Sequence, residues 1–304
     1  MVTPERIEVE SDGVALVGDT WRPAVGEPNG SVLLLHGAGQ RRFSWQRTGE
    51  WLAREGWVTY AFDARGHGDS SWATDGDYSS SALVRDLLAI VDRIGERPIL
   101  VGASVGGMAS LLAVGEHGPI ARGMVLVDIA PRIEPGGATR IQQFMQGAPD
   151  GFVTLEEASD AIAEYNPHRP RPKSLEGLRK NLAQGEDGRW RWHWDPVFLD
   201  DKTGPERGVD YRRASQAARN ITIPTLLVRG AHSDLLSEAG AREMLELIPH
   251  ARSVEVSAAG HMIAGDDNDV FTAELLDFIS STVAYEPDAS RGDPGRGSAD
   301  RLLG

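Results

Sequence analysis

The stretch "ILVGASVGGMASLLA" (99–113) decides the fold, because an apolar run there passes through glycines and one serine into small residues and leucines. The run from Ile99 is typical of a strand buried on both faces, and small and apolar residues at helical spacing follow Ser104. A strand that enters a helix through Gly-x-Ser-x-Gly forms a tight turn that exposes the serine hydroxyl. Two interpretations stay open, a nucleophile or a small residue at a helix start, since a chain with 35 glycines can produce the pattern by chance.

Comparable apolar runs occur on both sides of this stretch, each closed by glycine or polar residues. They are "SVLLLHG" (31–37), "WVTYAFD" (57–63), "GMVLVDI" (123–129) and "IPTLLVRG" (223–230). Segments with helical periodicity, near 47–55, 80–94 and 104–117, alternate with the first four strands. That alternation predicts an α/β fold with a mostly parallel central sheet and helices on both faces. The opening "RIEVESDGVALVGDTWRP" (6–23) indicates an antiparallel hairpin at one edge of the sheet.

The alternation stops after the strand that ends near Asp128. Residues 132–217 show helical patterns and no convincing buried strand, so we expect a helical cap, or lid, inserted into a core built from 1–131 and 218–285. Beyond the cap, the expected core elements are the strand 223–230, a helix at 237–248, a strand at 252–257 and a helix at 269–283. The last residues, 286–304, are rich in Gly, Pro, Ser and Asp, which predicts a disordered tail.

Composition excludes several classes of function. The formal net charge of −14 opposes the phosphates of nucleic acids and anionic membrane surfaces, so we expect neither as a partner. The absence of cysteine excludes disulfides, thiolate metal sites and cysteine nucleophiles. The charged first ten residues and the lack of any run of 18 apolar residues predict a soluble, cytoplasmic protein. The sequence leaves the oligomeric state open.

A serine nucleophile needs a base, and the base needs an orienting acid. His261, in "AAGHMIAGDD" (258–267), follows a late strand in a loop that opens at the carboxyl edge of the sheet, where the serine also points. Six other histidines are assigned to loops, turns, helix ends or the lid: His36, His67, His117, His168, His193 and His250. Two carboxylates compete as the acid, Asp234 and Asp128. We favour Asp234, because it gives the chain order Ser, Asp, His; otherwise Asp128 is the acid, or a carboxylate that fixes the lid junction.

Backbone amides must stabilise the oxyanion that develops during acyl transfer. The loop "LHGAGQRRFSW" (35–45) follows the first buried parallel strand, and the amides of Ala38 and Val105 are the predicted donors. Taken alone, residues 36–40 are also consistent with an ordinary turn between a strand and a helix, but the serine turn, the acid and the histidine at compatible edges of the sheet favour the oxyanion loop.

The segment "GRWRWHWDPVF" (188–198) sets three tryptophans at alternating positions, which would face one side of an extended chain. They form either an aromatic wall over Ser104 or anchors that seat the lid on the core. Tyr165 and Met145 are weaker candidates for the substrate pocket. The residues that we predict for that pocket are Gly37, Trp192, Trp194, Phe144 and Met262.

Five motifs together resemble the α/β-hydrolase superfamily. They are "HGAGQ" (36–40), "DARGHGDSSW" (63–72), "GASVGG" (102–107), "RGAHSD" (229–234) and "AGHM" (259–262). The resemblance covers nearly the whole chain except the tail, and this superfamily usually inserts its cap after the strand that here ends at Asp128. It implies Ser104 as nucleophile, His261 as base, Asp234 as acid, and Ala38 with Val105 as oxyanion donors.

The residues of these motifs are similar to those of a bacterial branch that includes esterases, lactonases, C–C bond hydrolases and cofactor-free haloperoxidases. Ser104 stands where epoxide hydrolases and haloalkane dehalogenases carry an aspartate, which argues against those two classes. We therefore expect a serine hydrolase that cleaves a small or medium-sized hydrophobic ester or lactone through an acyl-enzyme, with no cofactor and no metal. The alternatives are a perhydrolase, haloperoxidase or C–C bond hydrolase on the same triad, and a ligand receptor without turnover.

Overall fold

The computed structural model describes residues 3–165, 175–199, 210–257 and 269–284. Its strands are, in chain order, β1 (Glu5–Ser11), β2 (Val14–Trp21), β3 (Ser31–Leu35), β4 (Val58–Phe62), β5 (Ile99–Ala103), β6 (Gly123–Val127), β7 (Leu182–Gln184), β8 (Trp190–Trp192), β9 (Thr225–Gly230) and β10 (Arg252–Val256). Its helices are α1 (Gln46–Arg54), α2 (Ser80–Ile94), α3 (Val105–His117), α4 (Pro135–Gln146), α5 (Leu155–Tyr165), α6 (Tyr211–Arg219), α7 (Glu238–Leu247) and α8 (Asp269–Ala284).

In the described residues, eight strands form one sheet in the order β1-β2-β4-β3-β5-β6-β9-β10. Strand β2 runs antiparallel to both β1 and β4, and the remaining neighbours pair in parallel. The predicted hairpin is confirmed at the β1 edge, where Asp12 and Gly13 make the two-residue turn with φ of 48° and 76°. Asp-Gly suits that turn because both positions need positive φ.

Alternate side chains of the central strands pack into two apolar layers, one on each face of the sheet. In β6, Met124 and Leu126 face the layer covered by α2, α3, α6 and α7, whereas Val125 and Val127 face the layer covered by α1 and α8. This burial on both faces explains why these strands read as continuous apolar runs rather than as alternating patterns. The α/β fold class and the mostly parallel sheet predicted from the sequence are therefore confirmed.

The insertion between β6 and β9 is not wholly helical, which corrects one expectation. Helices α4 and α5 and a 3₁₀ segment (Leu175–Lys180) occur there, but β7 and β8 add a two-stranded antiparallel ribbon. The guanidinium of Arg191 closes the ribbon by binding the carboxylate of Asp187 in the connecting turn. Strands of three residues are too short to give a periodic signal, so the sequence pattern missed them.

Helix α6 crosses residue 217, where we expected the cap to end. Its Ala217 carbonyl lies so close to Gly115 of α3 that a Cβ at Gly115 would come within 2.2 Å of the carbonyl oxygen. Asn220 donates from its side chain to the Gly115 carbonyl at 3.1 Å. Since α6 packs in the core layer, the chain has already returned to the core at Tyr211.

Two segments for which we made predictions lie outside the described residues. They are the tail at 286–304 and the loop that carries His261 and Met262. Among the helices that the structure describes, none is long and apolar enough to cross a membrane.

Candidate active site

Ser104 lies in a strained turn between β5 and α3. Its φ of 48° and ψ of −114° fall in a region that residues with a Cβ rarely adopt. The flanking glycines are required by close approach: a Cβ at Gly102 would lie 2.6 Å from the Gly106 carbonyl oxygen, and one at Gly106 would lie 2.7 Å from Leu35 Cβ. The glycines thus let the chain turn sharply enough to lift the serine clear of the sheet, as the nucleophile interpretation requires.

Ser104 opens onto a cavity of about 320 Å³ between the core and the inserted segment. Most of its lining is apolar and comes from α3, α4 and the loop after β6. The described lining residues are Ala38, Tyr78, Ser80, Leu83, Ser104, Val105, Met108, Ala109, Ile129, Ile133, Ala138, Ile141, Gln142, Met145, Phe198, Leu199 and Leu235. No charged side chain occurs among these described residues, so the cavity suits an uncharged apolar group.

Two backbone amides beside Ser104 have no acceptor among the described residues, so they can bind an anion. Within the loop 37–40, the Gly37 amide donates to the Gln40 side chain at 2.9 Å, and the Gly39 amide donates to His67 Nε2 at 3.1 Å. The Gln40 amide closes the turn on the Gly37 carbonyl at 3.1 Å. The amides of Ala38 and Val105 have no acceptor in the part of the chain that the structure describes, and both residues line the cavity with Ser104.

Three buried histidines, His36, His67 and His193, form a cluster next to this loop that sequence reasoning did not identify as one unit. The ring centroids of His67 lie 5.4 Å from His36 and 5.8 Å from His193. His36 donates from Nδ1 to the Gly37 carbonyl at 2.8 Å and accepts the Ala64 amide at Nε2. His36 and His193 are separated by more than 150 residues, so no spacing in the sequence could have brought them together.

The histidine cluster is neutral. Burial lowers the pKa of His67 to about 3, with a further contribution from His36, and burial also lowers the pKa of His36 and of His193. Neutral rings fit the hydrogen bonds, because each ring accepts one backbone amide through an unprotonated nitrogen. No group of three or more His, Asp or Glu residues in the described chain is placed to hold a metal ion.

A buried network of ion pairs holds Arg42, which follows the loop 37–40 in the chain. The Arg42 amide donates to Asp63 Oδ1 at 2.7 Å, and the Arg42 guanidinium pairs with Asp63 and with Asp19. Burial opposes the charge on Arg42, but Asp63 and Asp19 outweigh it and raise its pKa. Glycine is required at position 68, since a Cβ there would lie 2.1 Å from the Asp63 carboxylate.

The two candidate acids lie in very different surroundings. Asp128 has no exposed surface, stands at the carboxyl end of β6 beside the Ser104 turn, and has a φ of 53°. Its Oδ1 accepts the Gly230 amide at 3.0 Å, and its Oδ2 accepts the Ser233 hydroxyl at 2.5 Å. The side chain of Asp234 is 41% exposed and pairs with Arg140 of α4 at 2.9 Å. His261 lies outside the described residues, so its contact with either carboxylate is not described.

Three residues predicted for the substrate pocket pack on one another or on neighbouring aromatic rings. Trp192 and Trp194 stack on each other with centroids 4.9 Å apart, and Phe144 stacks on Tyr165 at 4.3 Å. None of these side chains is among the described residues that line the cavity. Trp192 packs near Phe144 and Phe152 of the inserted segment, and Trp194 lies against Gly39 of the loop 37–40, which are contacts that the anchoring interpretation expects.

The cavity wall is built by other residues. Met145, a weaker candidate in the sequence, and Phe198 line the cavity. Gly37 lies against the nucleophile, since a Cβ there would come within 3.2 Å of Ser104 Cβ. Phe198 stands at the end of the tryptophan-rich segment, so that segment does contribute one aromatic ring to the wall.

Comparison with known proteins agrees with this geometry. A family model for the alpha/beta hydrolase fold matches residues 30–267. A 3-hydroxybutyrate-oligomer hydrolase from Cupriavidus necator is 31% identical over 210 residues, which cover 66% of this chain and 71% of that protein. An esterase from Mycobacterium tuberculosis is 25% identical over 244 residues, covering 77% of this chain and 78% of its own.

Among solved structures, an alpha/beta hydrolase from Novosphingobium aromaticivorans matches with a TM-score of 0.75 at 25% identity, covering 93% of this chain and 99% of that one. The resemblance inferred from the five motifs is confirmed, and the chain belongs to the α/β-hydrolase family.

Proposed function

We propose that this protein is a serine hydrolase that cleaves a small or medium-sized hydrophobic carboxylic ester or lactone through an acyl-enzyme. The observation that carries the proposal is the strained Ser104, which opens onto an apolar cavity beside two backbone amides that have no acceptor among the described residues. Strain of this kind persists only where the surrounding structure enforces it, and it clusters at catalytic sites. Relatives named as a 3-hydroxybutyrate-oligomer hydrolase and as an esterase support the same reaction class.

In the proposed reaction, Ser104 Oγ attacks the carbonyl carbon of the ester while His261 takes the hydroxyl proton. The amides of Ala38 and Val105 stabilise the oxyanion of the tetrahedral intermediate. Collapse of the intermediate expels the alcohol, which receives the proton from His261 and leaves the acyl group on Ser104. Water then attacks the acyl-enzyme with His261 again as base, which releases the acid and regenerates the serine.

Two carboxylates compete for the role of orienting the base. Chain order favours Asp234, whereas burial, position and contacts favour Asp128. A buried carboxylate on the strand next to the nucleophile can hold an imidazolium in a low dielectric, where the attraction is strongest. Asp234 is exposed and already paired with Arg140, so we propose Asp128 as the acid and a cap contact as the role of Asp234.

The test is an activity screen of the wild type beside Ser104→Ala. We expect p-nitrophenyl butyrate and apolar lactones to be turned over by the wild type, and the substitution to lower kcat by at least about 10³-fold. The 3-hydroxybutyrate dimer ester belongs in the panel because of the relative from Cupriavidus necator. Equal turnover by the two proteins rejects the proposal.

Further assays distinguish ester hydrolysis from C–C bond cleavage, from perhydrolase or haloperoxidase activity, and from ligand binding without turnover. Cleavage of a vinylogous 1,5-diketone, or peroxide-dependent halogenation, in excess of ester turnover would favour C–C bond or perhydrolase chemistry. Covalent labelling of Ser104 by a fluorophosphonate argues against a receptor without turnover. Tight ligand binding without labelling would favour the receptor.

A further inference from the structure

We propose that the cap segment His193–Asp195 is a positioning element of the oxyanion loop, so that seating of the cap sets where the Ala38 amide points. This inference rests on the proposed function in one respect, the assignment of Ala38 as an oxyanion donor. His193 and His67 are positioning residues in it, because they act through the loop backbone and contact neither the nucleophile nor the reacting atoms.

The cap is attached to the loop 66–68 of the core by hydrogen bonds. His193 Nδ1 accepts the Gly68 amide at 2.9 Å, and the Asp195 amide donates to the Gly66 carbonyl at 2.8 Å. Tyr78 donates its hydroxyl to the Asp195 carboxylate at 2.5 Å. The cap residues on both sides of Trp194 are thus fixed to the same core loop by buried hydrogen bonds.

The loop 66–68 is in turn connected to the oxyanion loop. His67, which stands between Gly66 and Gly68, accepts the Gly39 amide at Nε2 and donates from Nδ1 to the Arg65 carbonyl at 3.1 Å. Its ring also meets Phe198 of the cap edge to face at 4.6 Å. A shift of the cap would therefore move the ring that holds the Gly39 amide.

The cap also contacts the oxyanion loop directly. A Cβ at Gly39 would lie 3.3 Å from Trp194 Cζ3 and 3.4 Å from both Met145 Cε and Met145 Sδ. Trp194 is buried and held by its stack on Trp192. The Gly39 backbone is thus covered by two cap side chains and fixed by His67 on its amide.

These contacts leave one direction for the Ala38 amide. Its neighbours in the turn are fixed through the Gly37 and Gly39 amides, so the peptide between them follows the positions of Gln40 and His67. Oxyanion stabilisation depends on donors that are placed to within about 0.5 Å, and a displacement of about 1 Å can cost roughly 100-fold in rate. Loss of the cap contact should lower kcat more than it changes KM.

The kinetic test compares His193→Ala with His193→Asn, because the amide oxygen of Asn can occupy the position of Nδ1 and accept the Gly68 amide. With p-nitrophenyl butyrate, we expect His193→Ala to lower kcat roughly 10- to 100-fold with KM within about twofold. His193→Asn should recover most of that loss. Leu155→Ala, which removes a similarly buried side chain from the cap's own apolar cluster, is the matched control and should keep kcat within about threefold of the wild type.

A second readout does not depend on activity. Hydrogen–deuterium exchange over residues 36–41 should become faster in His193→Ala and stay near the wild-type rate in His193→Asn and Leu155→Ala. If the wild type turns over no ester but exchange responds as expected, the proposed function fails while the positioning of the loop stands. A folded His193→Ala protein with wild-type kcat or unchanged exchange overturns the inference, as does an equal loss of kcat in Leu155→Ala.

Discussion

At the scale of single residues, two of the four described non-glycine residues with positive φ stand where the chemistry is proposed. Ser104 and Asp128 both have positive φ without being glycine, and they stand at the carboxyl ends of the neighbouring strands β5 and β6. The Ser104 amide donates to the Val127 carbonyl at 3.2 Å, which fastens the two turns to each other. Each such conformation costs about 1–3 kcal/mol and needs surrounding contacts to hold it.

Ser104→Gly should be more stable than Ser104→Ala by about 1 kcal/mol, because glycine adopts the required φ without the strain of a Cβ. Urea unfolding of both inactive proteins measures this difference. Ser110, in the interior of α3, provides the control. There the Ala variant should be the more stable one, since glycine weakens a helix interior. If Ser104→Ala proved as stable as Ser104→Gly, or more stable, the Ser104 turn would not be strained.

The assignment of the acid gives a second prediction at this scale. Asp128→Asn should lower kcat by about 10³- to 10⁴-fold, because the neutral amide cannot hold the imidazolium. Asp234→Asn should change kcat by less than about fivefold, since an exposed ion pair contributes little. Steady-state kinetics and circular dichroism on the two variants separate the effect on rate from loss of fold. The reverse pattern would restore Asp234 as the acid.

At the scale of elements, the sequence predicted what local periodicity can encode. Helix α2 has the predicted bounds, 80–94, and the apolar runs became the central strands. What the cap side chains face could not be predicted in the same way. The alternating tryptophans did not reveal that Trp194 lies against Gly39, which is far away in the chain. Contacts of that kind depend on how elements pack, not on the pattern within one element.

The histidine cluster joins three elements and predicts how stability depends on pH. The folded pKa of His67 lies near 3, below the usual value of about 6.5 in an unfolded chain. Between these values the unfolded state binds more protons, so stability is complete above about pH 6.5 and is lost as the pH falls. His67→Gln, which keeps an acceptor for the Gly39 amide and does not titrate, should escape this loss.

Denaturant unfolding at pH 7.5 and 5.5 tests the linkage. Between pH 7.5 and 5.5, the free energy of unfolding of the wild type should fall by about 1 kcal/mol more than that of His67→Gln. Keeping one histidine neutral in the fold one pH unit below its unfolded pKa lowers the free energy of unfolding by about this amount. Carboxylates that titrate in this range affect both proteins alike. Parallel loss in the two proteins would contradict a buried neutral His67.

At the scale of the whole molecule, the fold was predictable because strand patterns alternate with helix patterns along the sequence. The serine turn, the insertion point and the hairpin edge all followed from short stretches. The histidine cluster and the surroundings of the two acids did not, because they arise from residues brought together by the sheet. Asp128 and Ser233 are 105 positions apart, yet they share a hydrogen bond because β6 and β9 are neighbours.

That adjacency also bears on how such a protein can change over evolutionary time. Val127 and Val228 are partners in the sheet, so the two ends of the inserted segment are held together whatever the chain does between them. The entropy of closing a loop grows only with the logarithm of its length, by about 0.6 kcal/mol for each doubling. The core can therefore exchange one cap for a longer or shorter one at little thermodynamic cost. On the positioning inference, a newly acquired cap must again cover Gly39 and hold the loop 66–68.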